Sequence, residues 1–357
     1  MNLGQLIRNS ASWLQGVADE DGMVVSSRAR LARNIGALPF PHKASDAERD
    51  RVISQVLDAA RTSTWLEDAT FLPMEGLEQN AQRALVERHL ISPALAEGSG
   101  PRGVLFARDE SMGAMINEED HLRLQALVSG FQAEEAGKRV NALSDAMGRH
   151  LDYAFDRQWG YLTACPTNTG TGLRLSVLVH LPALVLCDEM ERVLRGLNQM
   201  AFCVRGFHGE GTRAVGNLFQ VSNQATLGYS DGDLVDGLIR ITQKLLGFER
   251  DAQSDLMREA ASQVEDKVWR AYGLLSNARV LSSQEFMNLL SAVRLGRSLR
   301  LIDSVPSSFM NRLMITTQSA HLQAEHGSVL QSGERDVLRA RSVRRQMAGL
   351  ASREGGG

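Results

Sequence analysis

Cysteine is scarce in this chain, which has three cysteines in 357 residues. The number is odd and no two cysteines form a CxxC pair, so the sequence indicates no disulfide framework. Met1–Gln15 lacks the apolar segment of a signal peptide, and no apolar run approaches the length of a membrane span. We therefore expect a cytoplasmic protein that has no membrane partner.

The P-loop motif of many ATP-binding proteins is also missing, because the chain contains no GxxxxGK[ST] string. The net charge is -3, so no overall basic field favours a nucleic-acid partner. A protein of this composition that uses ATP must hold its phosphates by another device. Arginine is suited to that task, since its planar guanidinium binds phosphate oxygens in pairs and stays charged.

Proline becomes rare along the chain, because Pro306 alone follows Pro182. Helical patterns dominate beyond this change. We predict an α+β domain over residues 1–240, with a largely antiparallel sheet flanked by helices, and an all-helical domain over 241–357. The predicted strands are Gly103–Arg108, Ala114–Asn117, Tyr161–Ala164, Leu173–His180, Phe202–Arg205 and Phe219–Ser222. The helices predicted are Ser45–Arg61, a stretch within Leu124–Phe155, Glu189–Met200, Asp231–Leu246, Asp251–Leu275, Ser283–Leu299, Ser308–Glu325 and Glu334–Met347.

Three adjacent carboxylates stand out in Asn117–Arg123, which reads Asn-Glu-Glu-Asp-His-Leu-Arg. Like charges this close repel each other. Such a string is tolerated on a solvated turn or used where a cation is bound. Taken alone, the solvated turn is the better interpretation.

Of five candidate arginines, four flank glycine-rich turns or acidic strings rather than ordinary helix faces. Arg28 and Arg30 alternate along a predicted strand and so share one face. The other three follow the acidic string or border glycine-rich turns: Arg123, Arg174 and Arg205. Each alone is typical of a solvated surface group, but together they suggest a site for phosphates.

Carboxylates supply the second half of the predicted chemistry. A guanidinium has a pKa above about 12 and is a poor nucleophile until a proton leaves it. Glu119 and Glu210, from separate clusters, could orient the guanidinium and accept that proton. Cys165 lies at a strand end, where a thiolate could help to hold a cation or a small side chain could simply be buried.

Several strings resemble those of the phosphagen (guanidino) kinases, and most closely those of the bacterial protein-arginine kinases of the McsB type. The matching strings, in the family's order, are residues 26–34, 85–93, 117–123, 160–174, 205–211 and 222–228. The resemblance implies a phosphagen-kinase catalytic domain that uses ATP with Mg²⁺, the metal being held mainly by phosphates and water. No metal-binding residues are predicted in the protein itself.

The resemblance also implies site residues. Glu119 and Glu210 would bind and deprotonate the guanidinium, and Cys165 matches the family's active-site cysteine. The residues implied for ATP are Ser26, Ser27, Arg28, Ala29, Arg30, His89, Arg123, Arg174, Leu175, Ser176, Val177, Leu178, Arg205, Gly206, Phe207, His208, Gly209 and Glu210.

Two features favour an arginine residue of a protein as the acceptor. Only 25 residues precede Ser26, so we expect the N-terminal domain of small-molecule members to be missing and the guanidino site to be open. Leu178 stands where many phosphagen kinases have a histidine, whereas McsB-type members tend to have an apolar residue there. Arg213 departs from the family, which often has an acidic residue there, and could weaken substrate binding or change the preferred sequence.

The string Arg335–Ala340 resembles an RDxxRA element that binds phosphoarginine in McsB-type kinases. Arg335 and Arg339 lie four residues apart, so they could clamp a phosphate from one helix face while Asp336 engages a guanidinium. The resemblance implies that Arg335, Asp336, Arg339 and Ala340 form an allosteric phosphoarginine pocket. From the string alone, a solvated basic helix face is the better interpretation.

Three functions stay open at this stage. The first is a protein-arginine kinase that marks proteins for a Clp-type ATPase and protease in stress-linked quality control. It would act as a homodimer through its helical part, with an McsA-type zinc-binding activator as a further partner. The second is a kinase of free arginine or another guanidino metabolite. The third is a phosphoarginine-reading adaptor without catalytic activity.

Overall fold

The computed structural model describes residues 11–16, 22–199, 202–206 and 215–354. Its strands are β1 Val24–Arg33, β2 Thr70–Pro73, β3 Gly103–Phe106, β4 Met112–Ile116, β5 Leu122–Ser129, β6 Phe155–Asp156, β7 Gly160–Tyr161, β8 Leu173–His180, β9 Phe202–Gly206 and β10 Leu218–Asn223. Eight of them form one sheet in the order β2-β3-β4-β5-β1-β8-β10-β9, and β6 pairs with β7 in a separate hairpin. Every pairing in the large sheet is antiparallel, which confirms the predicted fold class.

Helices pack against both faces of this sheet and continue beyond it. They are α1 Asp46–Ala60, α2 Gln79–Glu87, α3 Pro93–Glu97, α4 Ala133–Gly148, α5 Pro182–Leu186, α6 Met190–Gln199, α7 Asp231–Asn277, α8 Ser283–Ser298, α9 Ser307–Thr316, α10 Ser319–His326 and α11 Ser332–Glu354. Ser45 begins α1 with a capping box, since its hydroxyl accepts from the Glu48 amide while the Glu48 carboxylate accepts from Ser45. Among the described residues, we find no helix with the length and apolarity needed to cross a membrane.

The two faces of the sheet differ in character because side chains alternate along each strand. On one face, Ala29, Leu31, Leu124 and Leu175 are fully buried against α4 and the first half of α7. The other face carries polar side chains in its middle. A second apolar cluster lies below one end of that polar face and joins Leu127 and Leu178 to α8, α9 and α11.

Some predicted boundaries were wrong. The stretch within Leu124–Phe155 does contain α4, but residues 124–129 belong to β5. That strand reads Leu-Arg-Leu-Gln-Ala-Leu-Val-Ser, and leucine, alanine and glutamine favour helices when considered alone. Burial between β4 and β1 overrides this propensity.

The helical part differs from prediction in two places. The two helices predicted between Asp231 and Leu275 form one element, α7, with a non-helical residue at Ala260. Ser308–Glu325 is divided into α9 and α10 by Thr317 and Gln318. The predicted division at residues 240 and 241 falls inside α7 and stays a prediction.

Glu249 of α7 is a buried carboxylate that holds the start of α5. Its oxygens accept from the amides of Ala183 at 2.9 Å and Leu184 at 3.0 Å. Gln253 donates a further hydrogen bond at 3.0 Å. Burial nevertheless raises the pKa of Glu249 to about 7, because desolvation outweighs these donors.

We expect the free energy of unfolding to depend on the protonation of Glu249. A carboxyl whose pKa is raised on folding stabilises the fold below its unfolded pKa, and that contribution is lost as pH rises toward 7. This pKa shift corresponds to a change of about 3 kcal/mol in the free energy of unfolding, at about 1.4 kcal/mol per pKa unit. Urea unfolding of wild type and Glu249→Gln from pH 4 to 8 should show a pH-dependent difference between the proteins. A constant difference would contradict the assignment.

Candidate active site

The polar face of the sheet carries four of the predicted arginines. Arg28 and Arg30 alternate with buried Ala29 along β1, so both point to this face. Strand pairing places Arg174 of β8 directly opposite Arg30, and Arg123 of β5 opposite Ala32. Three adjacent strands therefore bring together residues separated by up to 146 positions in sequence. We call these four residues the arginine face.

Their electrostatics indicate a site built for an anion. Burial lowers the pKa of Arg28 to about 10, with further lowering by Arg123 and Arg174. The pKa of Arg30 lies well below its usual value, mainly through burial and then through the three neighbouring guanidinium groups. Its Nε is buried and has no hydrogen-bond partner within the described residues. A polyphosphate would supply the missing acceptors and relieve the repulsion.

Side chains alternate along β1 and β8, so only some of the predicted ATP-binding residues point to the arginine face. Ser26, Arg28, Ser176 and Leu178 line a small cavity on the arginine face, together with His89, Leu127 and Gln220. The other predicted residues of these two strands point away from it. Ser27, Ala29, Leu175 and Val177 are all fully buried on the opposite side, so their side chains cannot reach a ligand at the arginine face. The Ser27 hydroxyl instead donates to the carbonyl of Gly130 at 2.8 Å.

His89 enters this cavity from the turn after α2. Its backbone has φ 60, a conformation that is uncommon outside glycine. Gln125 fixes the turn by donating to the His89 carbonyl at 3.1 Å, and the ring of Trp13 meets the imidazole edge-on with centroids 5.5 Å apart. The predicted nucleotide-site histidine is thus held beside the arginine face.

The acidic string of residues 117–123 forms the turn from β4 to β5, and its members have different roles. Asp120 is buried and accepts from Asn34 and from the amide of Ala164, each at 2.7 Å. His121 accepts from the Ile35 amide through Nδ1 at 3.0 Å. No role was predicted for these two side chains from the sequence, and the structure shows that they anchor the turn to the end of β1.

Glu118 and Glu119 complete the turn beside the arginine face. Glu118 forms an ion pair with Arg123 at 2.6 Å and accepts a short hydrogen bond from Ser92. Glu119 is exposed, and its nearest described partner is the amide nitrogen of Asn168 at 3.5 Å. Its pKa is raised, mainly because the surrounding turn partly desolvates its carboxylate and then because of the charge of Asp120. A carboxylate whose pKa is raised is a stronger base than an ordinary one and is better suited to accept a proton.

Cys165 precedes the turn that faces Glu119. The thiol lies 3.0 Å from the hydroxyl of Thr167 and is partly exposed. Ala164, Glu118 and Glu119 line an open cavity of about 430 Å³. Glu119 is therefore accessible from this cavity. The thiol is not a fully buried hydrophobic group, which was the alternative left open by the sequence.

Part of the predicted site lies outside the described residues. These are Phe207, His208, Gly209, Glu210 and Arg213. Arg205 belongs to β9, where its backbone is paired with Gln220, and Gly206 ends that strand. The predicted role of Glu210 as the second carboxylate is therefore still a prediction.

The C-terminal element is held more tightly than the sequence suggested. Arg339 is almost fully buried and donates to the carbonyls of Thr317 at 3.0 Å and Leu281 at 2.8 Å. Asp336 pairs with Arg339 at 2.6 Å. Ala340 is buried, whereas Arg335 is partly exposed. Arg339 therefore has a packing role, so the interpretation as a solvated basic face was wrong for this arginine.

A buried polar network connects this helical region to the nucleotide side of the sheet. Arg88 binds the carboxylate of Glu110 with two hydrogen bonds, and both side chains are 1% exposed. His321 of α10 lies 3.5 Å from Arg88 and 2.7 Å from the carboxylate of Glu87. Sequence reasoning missed this network because its members are up to 234 residues apart. Arg88 directly precedes His89, so the network reaches the predicted nucleotide site.

Comparisons with known proteins agree with this geometry. Residues 51–252 match the ATP:guanido phosphotransferase C-terminal catalytic domain, and residues 261–355 match the protein-arginine kinase McsB C-terminal domain. A protein-arginine kinase of Moorella thermoacetica is 46% identical over 347 residues, covering 96% of this chain and 99% of its own. That of Bacillus subtilis strain 168 is 42% identical over 350 residues, covering 97% and 96%.

Solved structures show the same fold. A lombricine kinase superimposes with a TM-score of 0.58 at 25% identity, covering 70% of this chain and 74% of its own. A taurocyamine kinase from Schistosoma mansoni also gives 0.58, at 22% identity, covering 78% and 42%. The chain thus belongs to the ATP:guanido phosphotransferase family, within its protein-arginine kinases.

Proposed function

We propose that this protein transfers the γ-phosphoryl group of ATP to arginine residues of other proteins. The observation that carries this proposal is the arginine face lying beside Glu119. Burial and the neighbouring guanidinium groups lower the pKa of Arg28 and Arg30, while a carboxylate of raised pKa borders an open cavity. This combination suits a polyphosphate on one side and a guanidinium on the other.

The reaction needs one bond formed and one broken. A guanidino nitrogen of the acceptor attacks the γ-phosphorus, the bond from phosphorus to the bridging oxygen breaks, and ADP leaves. The proton lost by the nitrogen passes to a carboxylate, for which we propose Glu119, with Glu210 as its partner. The arginine face stabilises the charge on the transferring group and on ADP.

We propose that Mg²⁺ accompanies ATP. Glu118 and Asp120 already bind protein groups, namely Arg123 and Ser92 for the first and Asn34 and Ala164 for the second. The described residues contain no group of three side chains that could hold a metal. The donors that fit the ion are therefore phosphate oxygens and water, and the ion would neutralise part of the phosphate charge.

We infer that the acceptor is an arginine on a protein rather than a free metabolite. The cavity beside Glu119 is open, which leaves room for an arginine carried on a protein surface. The McsB-type C-terminal domain of the relatives also supports this acceptor. In the cell, we propose a cytoplasmic homodimer that marks proteins for a Clp-type ATPase and protease during stress, with an McsA-type activator.

The test is direct phosphorylation of an arginine-bearing protein. Casein, ATP and Mg²⁺ are incubated with the enzyme, and acid-labile phosphate on arginine is identified by mass spectrometry. Turnover of free arginine far above that of casein would identify a metabolite kinase instead. Absence of phosphoarginine, even with an activating partner, would contradict the proposal. Retention of cellular function by Glu210→Ala would favour the adaptor interpretation.

We also propose that phosphoarginine binding at Arg335 and Asp336 changes activity through α10. Arg339 donates to the carbonyl of Thr317 just before α10, and Glu87 accepts from the first amides of α10 at Ala320 and His321. His321 then contacts Arg88, next to His89. We propose that these contacts connect the phosphoarginine pocket at Arg335 and Asp336 with the nucleotide site at His89.

The prediction is that His321→Gln uncouples the two sites. Free phosphoarginine should change the KM for ATP of wild type by about 5-fold or more, a usual size for such coupling. The response should be lost in His321→Gln and in the double variant Arg335→Ala with Asp336→Ala. His326→Gln, an exposed histidine of the same helix, is the matched control. An unchanged response in both variants would contradict the proposed path.

A further inference from the structure

A second cavity, distinct from the one beside Glu119, lies on the other side of the turn that carries Cys165. Its volume is about 640 Å³. The walls come from the β6–β7 hairpin, the segment leading into α7, and α4. We call it the aromatic cavity, after Phe155, Trp159, Tyr161 and Tyr229.

This cavity gathers apolar side chains that water contacts freely. Phe155 is 57% exposed, Trp159 48%, Tyr229 46% and Leu227 43%. Scattered exposed apolar residues are ordinary, but four large ones around a single concave surface are typical of an interaction site. Tryptophan and tyrosine are also enriched among residues that dominate binding energy at protein interfaces.

The charge of the cavity favours a cation. Asp145 and Asp231 lie in its lining. The Oδ2 of Asp231 accepts from Asn141 at 2.8 Å, whereas its Oδ1 is buried and has no hydrogen-bond partner among the described residues. Aromatic rings add to this preference, because their faces attract ammonium and guanidinium groups.

Arg33 is the cation in the described lining, and it forms no ion pair with Asp145 or Asp231. Arg33 donates to the carbonyls of Ala32 at 2.8 Å and Thr171 at 2.9 Å, and its guanidinium carbon lies 3.4 Å from the ring centroid of Tyr161. The cavity wall therefore already uses a guanidinium stacked on an aromatic ring. The same chemistry is available to a ligand at Trp159 and Tyr229.

Backbone contacts connect the aromatic cavity to the guanidino site. Tyr161 and Gly170 pair through two hydrogen bonds, of 2.8 and 3.2 Å. The Thr226 hydroxyl donates to the Thr169 carbonyl at 2.7 Å. These residues flank the turn that places Asn168 beside Glu119. A polypeptide with one arginine at Glu119 could thus continue across the turn into this cavity.

We propose that the aromatic cavity binds a basic side chain of the protein substrate, at a position other than the arginine that is phosphorylated. The identity of the occupant rests on the proposed function. A lysine or arginine flanked by apolar residues matches both the rings and the two aspartates. The cavity would thereby select among exposed arginines by their sequence context.

Equilibrium binding without ATP tests this inference independently of catalysis. The probes are fluorescein-labelled peptides with an acceptor arginine and a second arginine among apolar residues, the second moved one position at a time. In the matched peptides, glutamine or glutamate replaces the second arginine. Fluorescence anisotropy gives Kd for wild type, Trp159→Ala, Trp159→Phe and Asp145→Lys. Trp65→Ala removes an exposed tryptophan from the turn after α1 and serves as control.

We expect at least one spacing at which Trp159→Ala and Asp145→Lys weaken binding 10-fold or more. Trp159→Phe should restore most of the affinity, and Trp65→Ala should match wild type. Asp145→Lys should prefer the glutamate peptide over the arginine peptide. Equal affinities of wild type and Trp159→Ala at every spacing overturn the inference.

Self-association provides a second check. If Trp159→Ala abolished a wild-type dimer in sedimentation while leaving peptide affinity unchanged, the cavity would be an interface between two copies and the inference would be wrong. Failure of the proposed function looks different. In that case the peptides bind with the expected pattern, yet no phosphate reaches their arginines when ATP and Mg²⁺ are added.

Discussion

Replacing Glu119 with glutamine is expected to lower kcat for arginine phosphorylation by about 10³-fold, within the usual range for removal of a general base. The amide keeps the size of the side chain but cannot accept a proton. Glu119 is exposed, and its closest described contact is 3.5 Å long, so folding should be unaffected. The affinity for ATP should stay within about 2-fold, because the arginine face is intact.

The pH profile distinguishes a base from a residue that merely shapes the cavity. The pKa of Glu119 is raised, so the wild-type rate should increase with pH through a value above the usual 4.5. That limb should disappear from the residual activity of Glu119→Gln. Glu97→Gln, at the exposed end of α3, is the matched control. Retention of a third of the wild-type rate would place the base elsewhere.

Replacing Arg30 with methionine is expected to have opposite effects on function and on stability. Catalytic efficiency toward ATP should fall by about 10³-fold, as for the loss of a transition-state guanidinium. The free energy of unfolding without nucleotide should rise by about 1 kcal/mol or more. The reason is that Arg30 is a partly buried charge whose pKa is strongly lowered, and its removal also relieves the repulsion on Arg28.

Thermal unfolding with and without ADP and Mg²⁺ measures both effects. Wild type should be stabilised by the nucleotide, since a ligand that binds only the folded state raises stability. Arg30→Met should start higher and gain little. Arg61→Met replaces an exposed arginine paired with Asp58 and should behave as wild type. A variant that unfolds earlier than wild type and still responds to ADP would show that the arginine face is not strained by repulsion.

Local patterns predicted the elements that bear the site, but not the contacts that hold them. Leu173–His180 was predicted with its observed bounds because apolar and polar residues alternate after a glycine-rich turn. The roles of Asp120 and His121 were invisible, since their partners Asn34 and Ile35 lie 86 residues away. Pairing across the sheet creates such contacts, and no local periodicity encodes them.

The family resemblance covered part of this gap by assigning roles to residues that a single sequence cannot bring together. It could not locate the aromatic cavity, because Phe155 and Trp159 of the β6–β7 hairpin come close to Tyr229 only in the folded chain. Nor could it show that Arg339 is packed against the carbonyls of Thr317 and Leu281. The exposure of the aromatic side chains and the burial of Arg339 decide these two points, and both depend on the assembled fold.

The second apolar cluster has a consequence for how this chain emerges from the ribosome. Leu127 and Leu178, from the arginine-bearing strands, are buried against helices made from residues beyond 260. Domains that fold during synthesis begin with the part made first. Here an apolar patch of the sheet stays exposed until about 100 further residues have been synthesised. Shortened versions ending near residue 252 should therefore aggregate, even though they contain the whole matched catalytic region.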